Sequence, residues 1–125
     1  MNPHGLKGQI HGGVAQGLGQ ALMEQVAYDR ESGQNLTGSF MDYCMPRADT
    51  VPHMEITSNP VPTKRNPLGA KGAGEAGTVG ALPAVINAVL DALAPLGVKN
   101  LEMPATSERI WQAIRDARTC RQIGT

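Results

Sequence analysis

The chain has 125 residues, with 11 basic and 11 acidic side chains, so it carries no formal net charge. This balance gives no electrostatic basis for a nucleic-acid partner, and the 41% hydrophobic content argues against intrinsic disorder. One Trp, two Tyr and one Phe stand beside 15 Gly and 9 Pro. A core this poor in aromatic residues buries little apolar area, and we expect the chain to be unstable alone.

The most apolar stretch, residues 79–98, is interrupted by Asn87, Asp91 and two prolines. It predicts a packed helix rather than a membrane span. The first residues, MNPHGLKG, lack the apolar stretch of a signal peptide. Cys44 and Cys120 form neither a disulfide framework nor a zinc motif. These features predict a cytoplasmic protein.

The first predicted element is a helix, entered from a loop near residue 9 and ending near residue 22. Its apolar residues recur at helical spacing: Val14, Leu18 and Leu22. Gly13, Gly17 and Ala21 lie four residues apart and form a smooth ridge along one side. Such a ridge admits either a closely packed helix or a large ligand, and spacing alone leaves both interpretations open.

Short strands and turns are predicted between this helix and about residue 63. The candidate strands are Val26–Tyr28, Leu36–Tyr43 and Met54–Thr57. Prolines follow at a density that favours a long ordered loop laid over a surface rather than central strands.

Two further helices are predicted in the second half of the chain. Pro83 suits the first turn of a helix that runs to about Leu93. The last helix follows Pro104, with Thr106 or Ser107 as its N-cap. Its predicted buried stripe consists of Ile110, Trp111 and Ile114. Strands, turns and helices together predict a loop-rich α+β fold.

The densest glycine segment, GAKGAGEAGTVG at residues 69–80, formally matches G-x-G-x-x-G. No hydrophobic strand leads into it and the P-loop motif is absent, so we exclude both common kinds of nucleotide site. The segment contains one acid, Glu75, flanked by residues with almost no side chain. Its carboxylate could act as a base in a cavity, or it could lie in a surface turn, which composition alone favours.

Three glutamines lie on the other glycine-rich element: Gln9, Gln16 and Gln20. Each amide both donates and accepts hydrogen bonds, which suits recognition of a heterocycle. Glutamines are equally at home on a solvent-exposed helix face, which is the alternative. The histidines have no partner at metal-ligand or catalytic-triad spacing. We therefore assign the histidines no role.

Four motifs follow one another along the chain: GQIHGGVAQGLGQAL, LTGSFMDYCMPRA, PTKRNPLGAKGAGEAGTVGALPAVINAVLDAL and PATSERIWQAI. Together they resemble the C-terminal end of a large subunit of the molybdenum hydroxylases, the xanthine dehydrogenase and aldehyde oxidase family. They are most similar to large subunits of the aerobic carbon monoxide dehydrogenase type. The resemblance implies a partial molybdopterin-binding domain at residues 1–117, from the family's second such domain, and a tail at 118–125.

The resemblance implies an oxidoreductase that hydroxylates or oxidises a small substrate with oxygen from water. It implies a molybdenum–molybdopterin cofactor in the cytosine dinucleotide form, with iron–sulfur clusters and FAD on partner subunits. The family's glutamate that faces the metal corresponds to Glu75, as a general base. Its pterin-contacting glutamine corresponds to Gln9, and the turn Gly72-Ala73-Gly74 also borders the cofactor. No side chain of this chain is expected to ligate the metal.

Large subunits of this family are several times longer than this chain. The implied partners are therefore the N-terminal part of the large subunit, an iron–sulfur subunit, an FAD subunit and a small-molecule substrate. The substrate-selecting residues are absent, which leaves carbon monoxide, an aldehyde and an N-heterocycle open. We expect no activity from the chain alone. The alternative is a non-catalytic remnant or interaction module of the same fold.

Overall fold

A computed structural model describes residues 2–123, with the main chain alone for residues 121–123. Its α-helices are α1 (Pro3–Leu22), α2 (Ala76–Leu93) and α3 (Ser107–Ile123), and a short 3-10 helix, Ala94–Leu96, extends α2. Met1 of the predicted domain, and Gly124 and Thr125 of the predicted tail, lie outside the described residues.

Helix α1 begins at Pro3, well before the predicted entry near residue 9. The Asn2 side chain is the reason, because its Oδ1 accepts hydrogen bonds from the amides of His4 and Gly5, at 3.1 and 3.2 Å. Proline at the next position has the backbone angle that a first helical residue needs and no amide to satisfy. The Asn-Pro pair therefore starts the helix.

Helix α2 begins at Ala76, so the prediction of a start at Pro83 was wrong, and Pro83 lies inside the helix. The predicted polar positions, Asn87 and Asp91, are exposed as expected. The apolar face is half-buried or buried along its length: Val85, Ile86, Val89, Leu90 and Leu93.

Helices α1 and α2 pack through glycines. A Cβ atom on Gly17 would lie 2.7 Å from the Ala81 Cβ, and one on Gly77 would lie 2.7 Å from the Ile10 carbonyl oxygen. The Thr78 hydroxyl donates a hydrogen bond to the Gly13 carbonyl at 3.0 Å, which joins a side chain of α2 to the main chain of α1. The ridge predicted on α1 therefore admits a helix, and Ala21 at its end is fully buried.

The segment between α1 and α2 contains turns and loops but no strand among residues 2–123, so the α+β prediction is not confirmed. Of the three predicted strands, only the first takes part in a bridge, between Tyr28 and Asn35. Residues 39–43 form a turn instead. The pairing is confined to this one bridge and its neighbouring hydrogen bonds, from the Leu36 amide to the Ala27 carbonyl and from the Asp29 amide to the Gln34 carbonyl, which is too short to form a strand.

The loop that follows this bridge is fastened to the end of α1. The Tyr43 hydroxyl donates a hydrogen bond of 2.6 Å to the Glu24 carboxylate. This hydrogen bond, with smaller contributions from desolvation and from the Glu24 charge, raises the pKa of Tyr43. The phenol donates this hydrogen bond throughout the neutral range, and the bond holds the loop against the end of α1.

Helix α3 has the predicted N-cap, because the Thr106 hydroxyl oxygen accepts a hydrogen bond of 3.3 Å from the Arg109 amide. Burial of Trp111 was predicted wrongly, since 57% of this side chain is exposed. The Arg115 guanidinium covers the ring at 4.8 Å from its centroid instead, a cation–π contact on the surface. Ile110 and Ile114 are half-buried.

The buried apolar core of the described residues is small and consists of Ala21, Ala81, Leu93, Val98 and Ala105. The stretch Ala76–Leu96, α2 and the short helix, contains an 18-residue window with a mean hydropathy of 1.7, so it is long and apolar enough to cross a membrane by length and composition. Core helices of soluble proteins have the same length and composition, so these two properties do not distinguish a membrane span from a core helix. The expected absence of a membrane span is not confirmed.

Candidate functional site

Glu75 occupies the N-cap position of α2. Its carbonyl accepts the first amide hydrogen bond of the helix, from Val79 at 3.0 Å, while its side chain makes no capping hydrogen bond. The side chain is exposed, so the residues described here do not shield its carboxylate from water. The position itself is fixed by the helix, and a carboxylate at a helix N-terminus is electrostatically favourable.

Gln9 lies at the same end of the helix pair as Glu75. Gly13 faces Gly77 and Thr78, while Gly17, one turn further, faces Ala81, so both helices run in the same direction across the contact. Gln9 directly precedes Ile10, whose carbonyl oxygen faces Gly77, and Glu75 lies just before Gly77 in sequence. The packing register of α1 and α2 thus brings together two predicted site residues that are far apart in sequence.

The predicted cofactor loop, Gly72-Ala73-Gly74, leads directly into Glu75. A Cβ atom on Gly72 or on Gly74 would have no atom of the described chain within 4 Å. These two glycines are therefore not required by packing within the chain, unlike Gly77. The main chain here is open to close approach by a bulky group, and in that respect the loop fits a large cofactor.

The described residues do not enclose this end of the helix pair. The clefts in the described part of the chain have volumes of about 320 to 460 Å³. None of them is lined by a predicted cofactor-binding residue or by Glu75. Among residues 2–120 no group of three or more His, Cys, Asp or Glu side chains is placed to hold a metal ion. The predicted site residues therefore lie at an open surface of the described chain.

Two features of the site region had no counterpart in the sequence predictions. Thr78, whose hydroxyl joins α2 to α1, has no local signal because its partner lies 65 residues away. His11 donates from Nε2 to the Met54 carbonyl at 3.4 Å, and with Arg47 and His53 it lines the 460 Å³ cleft beside α1. Only the folded chain brings this loop against the helix.

Comparison with known proteins shows the same kind of domain. Residues 1–52 match the family model of the molybdopterin cofactor-binding domain. The chain is 40% identical over 116 residues to the carbon monoxide dehydrogenase large chain of Hydrogenophaga pseudoflava, covering 93% of this chain and 14% of that one. It is 45% identical over 115 residues to the nicotine 6-hydroxylase large subunit of Paenarthrobacter nicotinovorans. This match covers 92% of this chain and 14% of the relative.

The fold agrees with these similarities. The crystal structure of a Cu,Mo carbon monoxide dehydrogenase in its carbon monoxide-reduced state superposes with a TM-score of 0.87 and 37% identity. The superposition covers 94% of this chain and 15% of that structure's chain. The curated relatives described above are likewise spanned over only about one seventh of their length.

These findings define the chain as part of a molybdopterin-binding domain. Its sequence and fold are similar to those of one part of the large subunits of oxidoreductases of the carbon monoxide dehydrogenase and xanthine dehydrogenase type.

Proposed function

We propose that this chain provides one side of the active site of a molybdenum hydroxylase that oxidises or hydroxylates a small substrate with oxygen from water. The observation that carries the proposal is the register of α1 and α2. This register supports the proposal because Gln9, the Gly72–Gly74 loop and Glu75 lie towards the same end of the contact between the two helices. In this assignment the chain is the C-terminal, α+β part of the second molybdopterin-binding domain, whose strands are completed by the rest of the subunit.

The cofactor is molybdenum–molybdopterin in the cytosine dinucleotide form. When bound, it supplies the redox centre for transfer of a water-derived oxygen and of two electrons. The Gln9 amide both donates and accepts hydrogen bonds and so can pair with a pterin edge. Gly72 and Gly74 let the main chain approach closely, because neither position has a neighbour in the described chain.

Glu75 is the general base of the reaction. One carboxylate oxygen accepts the proton that the oxygen atom loses as it is transferred to the substrate. The N-cap position holds the carboxylate in place through the main chain, and the exposed side chain leaves its oxygen atoms free for this proton. Covering by the remainder of the subunit excludes bulk water from the carboxylate.

The partners are the rest of the large subunit, an iron–sulfur subunit and an FAD subunit, to which the electrons pass. The assembly is soluble and cytoplasmic, and α2 is a core helix rather than a membrane span. The names of two relatives mention carbon monoxide and nicotine, which are chemically different substrates. The substrate class of this chain's enzyme therefore stays open between a small gas, an aldehyde and an N-heterocycle.

A hybrid enzyme tests the role of Glu75. This chain replaces the matching segment of the nicotine 6-hydroxylase large subunit, and the hybrid is assembled with that enzyme's other subunits. Glu75→Gln keeps the shape of the side chain and removes its basicity. We expect unchanged molybdenum content and nicotine turnover lowered by about 100- to 10,000-fold.

The matched control is Glu102→Gln, at another exposed glutamate that lies in the loop before α3. It should turn over at the rate of the unsubstituted hybrid. If Glu75→Gln in the fully loaded hybrid retains the unsubstituted rate, Glu75 is not the base. A fully loaded hybrid with no turnover at all favours the non-catalytic module instead.

A further inference from the structure

Residues 46–54, called the covering loop from here on, run back along α1 and contact it at both ends. At one end a Cβ atom on Gly19 would lie 2.6 Å from the Pro46 Cγ, so the proline ring packs directly on the helix. At the other end the His11 Nε2 donates a hydrogen bond to the Met54 carbonyl, at 3.4 Å. Between these contacts no hydrogen bond joins the loop to α1 in the described part of the chain. The loop is therefore held at its ends and leaves space beneath its middle.

A cleft of about 460 Å³ occupies this space. Its helix side is formed by the small residues Gly12 and Ala15, and a Cβ atom on Gly12 would have no atom of the described chain within 4 Å. Its loop side contains the half-buried apolar residues Pro46 and Val51. Binding sites for small molecules have volumes of about 300 to 1,000 Å³ and mostly apolar walls. The cleft therefore has the size and the walls to accept a flat ring between helix and loop.

The polar side chains that line the cleft are Arg47, His11 and His53, and none of the described residues that line it is acidic. The main chain of Arg47 is fixed by Thr50, whose hydroxyl oxygen accepts from the Arg47 amide at 2.8 Å and whose amide donates to the Arg47 carbonyl at 3.0 Å. The Arg47 guanidinium makes no hydrogen bond or ion pair with any described residue. Because a guanidinium binds a carboxylate through two parallel hydrogen bonds, this free cation is complementary to a carboxylate ligand.

We propose that the cleft between α1 and the covering loop binds a small planar carboxylate. The ring of the ligand lies against Gly12 and Ala15, and its carboxylate pairs with Arg47. An inorganic anion would leave the apolar walls uncovered, and an uncharged ring would leave the guanidinium without a partner, so the ligand needs both parts. The cleft is separate from the proposed active site, because neither Gln9 nor any of residues 72–75 lines it.

Labelled benzoate is the probe, and equilibrium dialysis against the hybrid enzyme that carries this chain measures its binding. Arg47→Gln removes the positive charge and keeps the main-chain hydrogen bonds with Thr50. We expect this variant to bind benzoate about tenfold or more weakly, because a hydrogen-bonded charge pair is lost. Arg30→Gln is the matched control, at an exposed arginine that does not line the cleft, and should bind within about twofold of the unsubstituted hybrid.

A second pair of variants tests the location of the ring without changing any charge. Gly12→Leu places a side chain in the cleft, whereas Gly80→Leu places one on the exposed surface of α2. Both glycines are helical and have no described atom within 4 Å of a Cβ atom, so both changes favour the helix to the same extent. We expect Gly12→Leu to abolish benzoate binding and Gly80→Leu to leave it within about twofold.

Several results would overturn the inference. A hybrid that binds no benzoate shows that the cleft is not a ligand site, and equal binding by all four variants places benzoate elsewhere. If the uncharged analogue benzamide binds as tightly as benzoate, Arg47 does not recognise a carboxylate. If inorganic phosphate displaces benzoate as effectively as unlabelled benzoate does, the ring has no part in binding. Binding is measured independently of nicotine turnover, so a hybrid that binds benzoate as expected but is inactive contradicts the proposed function alone.

Discussion

Gln9 and Glu75 have different proposed roles, cofactor binding and proton transfer. Both side chains are exposed and lie at the same end of the helix pair. Glu75 follows the open loop directly and is held by the first hydrogen bond of α2. Gln9 lies in the N-terminal half of α1, and its neutral amide can bind but cannot serve as a base at neutral pH. Binding and proton transfer should therefore be separable by mutation.

Gln9→Leu tests this separation through cofactor content rather than activity. The substitution keeps the approximate size of the side chain and removes its hydrogen-bonding groups, so we expect the hybrid enzyme to retain molybdenum about five- to tenfold less tightly on dilution. Gln25→Leu, at an exposed glutamine beyond the end of α1, is the control and should retain molybdenum normally. Equal retention by the two variants would remove Gln9 from the cofactor site.

The sequence predictions at this scale came from two sources. Spacing and composition identified Glu75 and Gln9 only as candidates, each with a surface alternative, because nothing local shows that the two residues meet. The resemblance to a family assigned their roles, and those roles stay predictions. The structure adds their common location, which depends on a contact between Ile10 and Gly77 that no local pattern contains.

The pairing of α1 with α2 is the element on which the site depends. Both helices contain glycines, which disfavour a helix by about 1 kcal/mol each relative to alanine. Gly77 and Gly80 of α2 differ in their surroundings: a Cβ atom on Gly77 would lie 2.7 Å from the Ile10 carbonyl oxygen, whereas one on Gly80 has no neighbour within 4 Å. The same substitution should therefore have opposite effects at the two positions.

Gly77→Ala should destabilise the helix pair by about 1 to 3 kcal/mol, because backbone atoms would have to move apart. Gly80→Ala should instead stabilise α2 by up to about 1 kcal/mol, through helix propensity alone. The measurement is the thermal unfolding midpoint of the hybrid large subunit carrying each change. A rise in the midpoint for Gly77→Ala would contradict the observed packing.

The same pair of helices shows why local rules misplaced two helix starts. The Asn2-Pro3 pair is a recognisable N-cap and first-turn signal, and it could have extended the predicted helix to Pro3. The start of α2 at Ala76 had no such signal, since Pro83 is itself a common first-turn residue and glycine disfavours helix. Packing of Gly77 and Thr78 on α1 stabilises those first turns, and this contact is invisible in the sequence.

At the scale of the whole molecule, the described chain exposes much of what a complete core would bury. No large side chain among residues 2–120 is fully buried, while Met41 and Leu68 are at least 90% exposed and Phe40 is 79% exposed. Large apolar side chains exposed to this extent are typical of surfaces that another chain segment covers. These exposed side chains are consistent with a piece that is completed by further chain.

Whether the predicted α+β fold forms also depends on further chain that would pair with the predicted strands. Met54–Thr57 was predicted as a short strand, and the structure shows alternating burial there without a strand. Whether such a segment becomes a strand depends on a partner, and the described chain provides none. Secondary structure that requires a partner segment cannot follow from the residues of one segment, whereas the helices, whose hydrogen bonds are internal, largely could be predicted.

The central claim is that this chain holds one side of a molybdopterin site and needs the other side to retain the cofactor. The direct measurement is the molybdenum content per chain after gel filtration, for the chain expressed alone and for the chain co-expressed with the nicotine 6-hydroxylase large subunit from which the matching segment has been deleted. Because the described residues neither enclose the site nor group side chains that could hold a metal, we predict no retained molybdenum alone. The assembly should carry it stoichiometrically. Stoichiometric molybdenum in the chain alone, or none in the assembly, would contradict the claim.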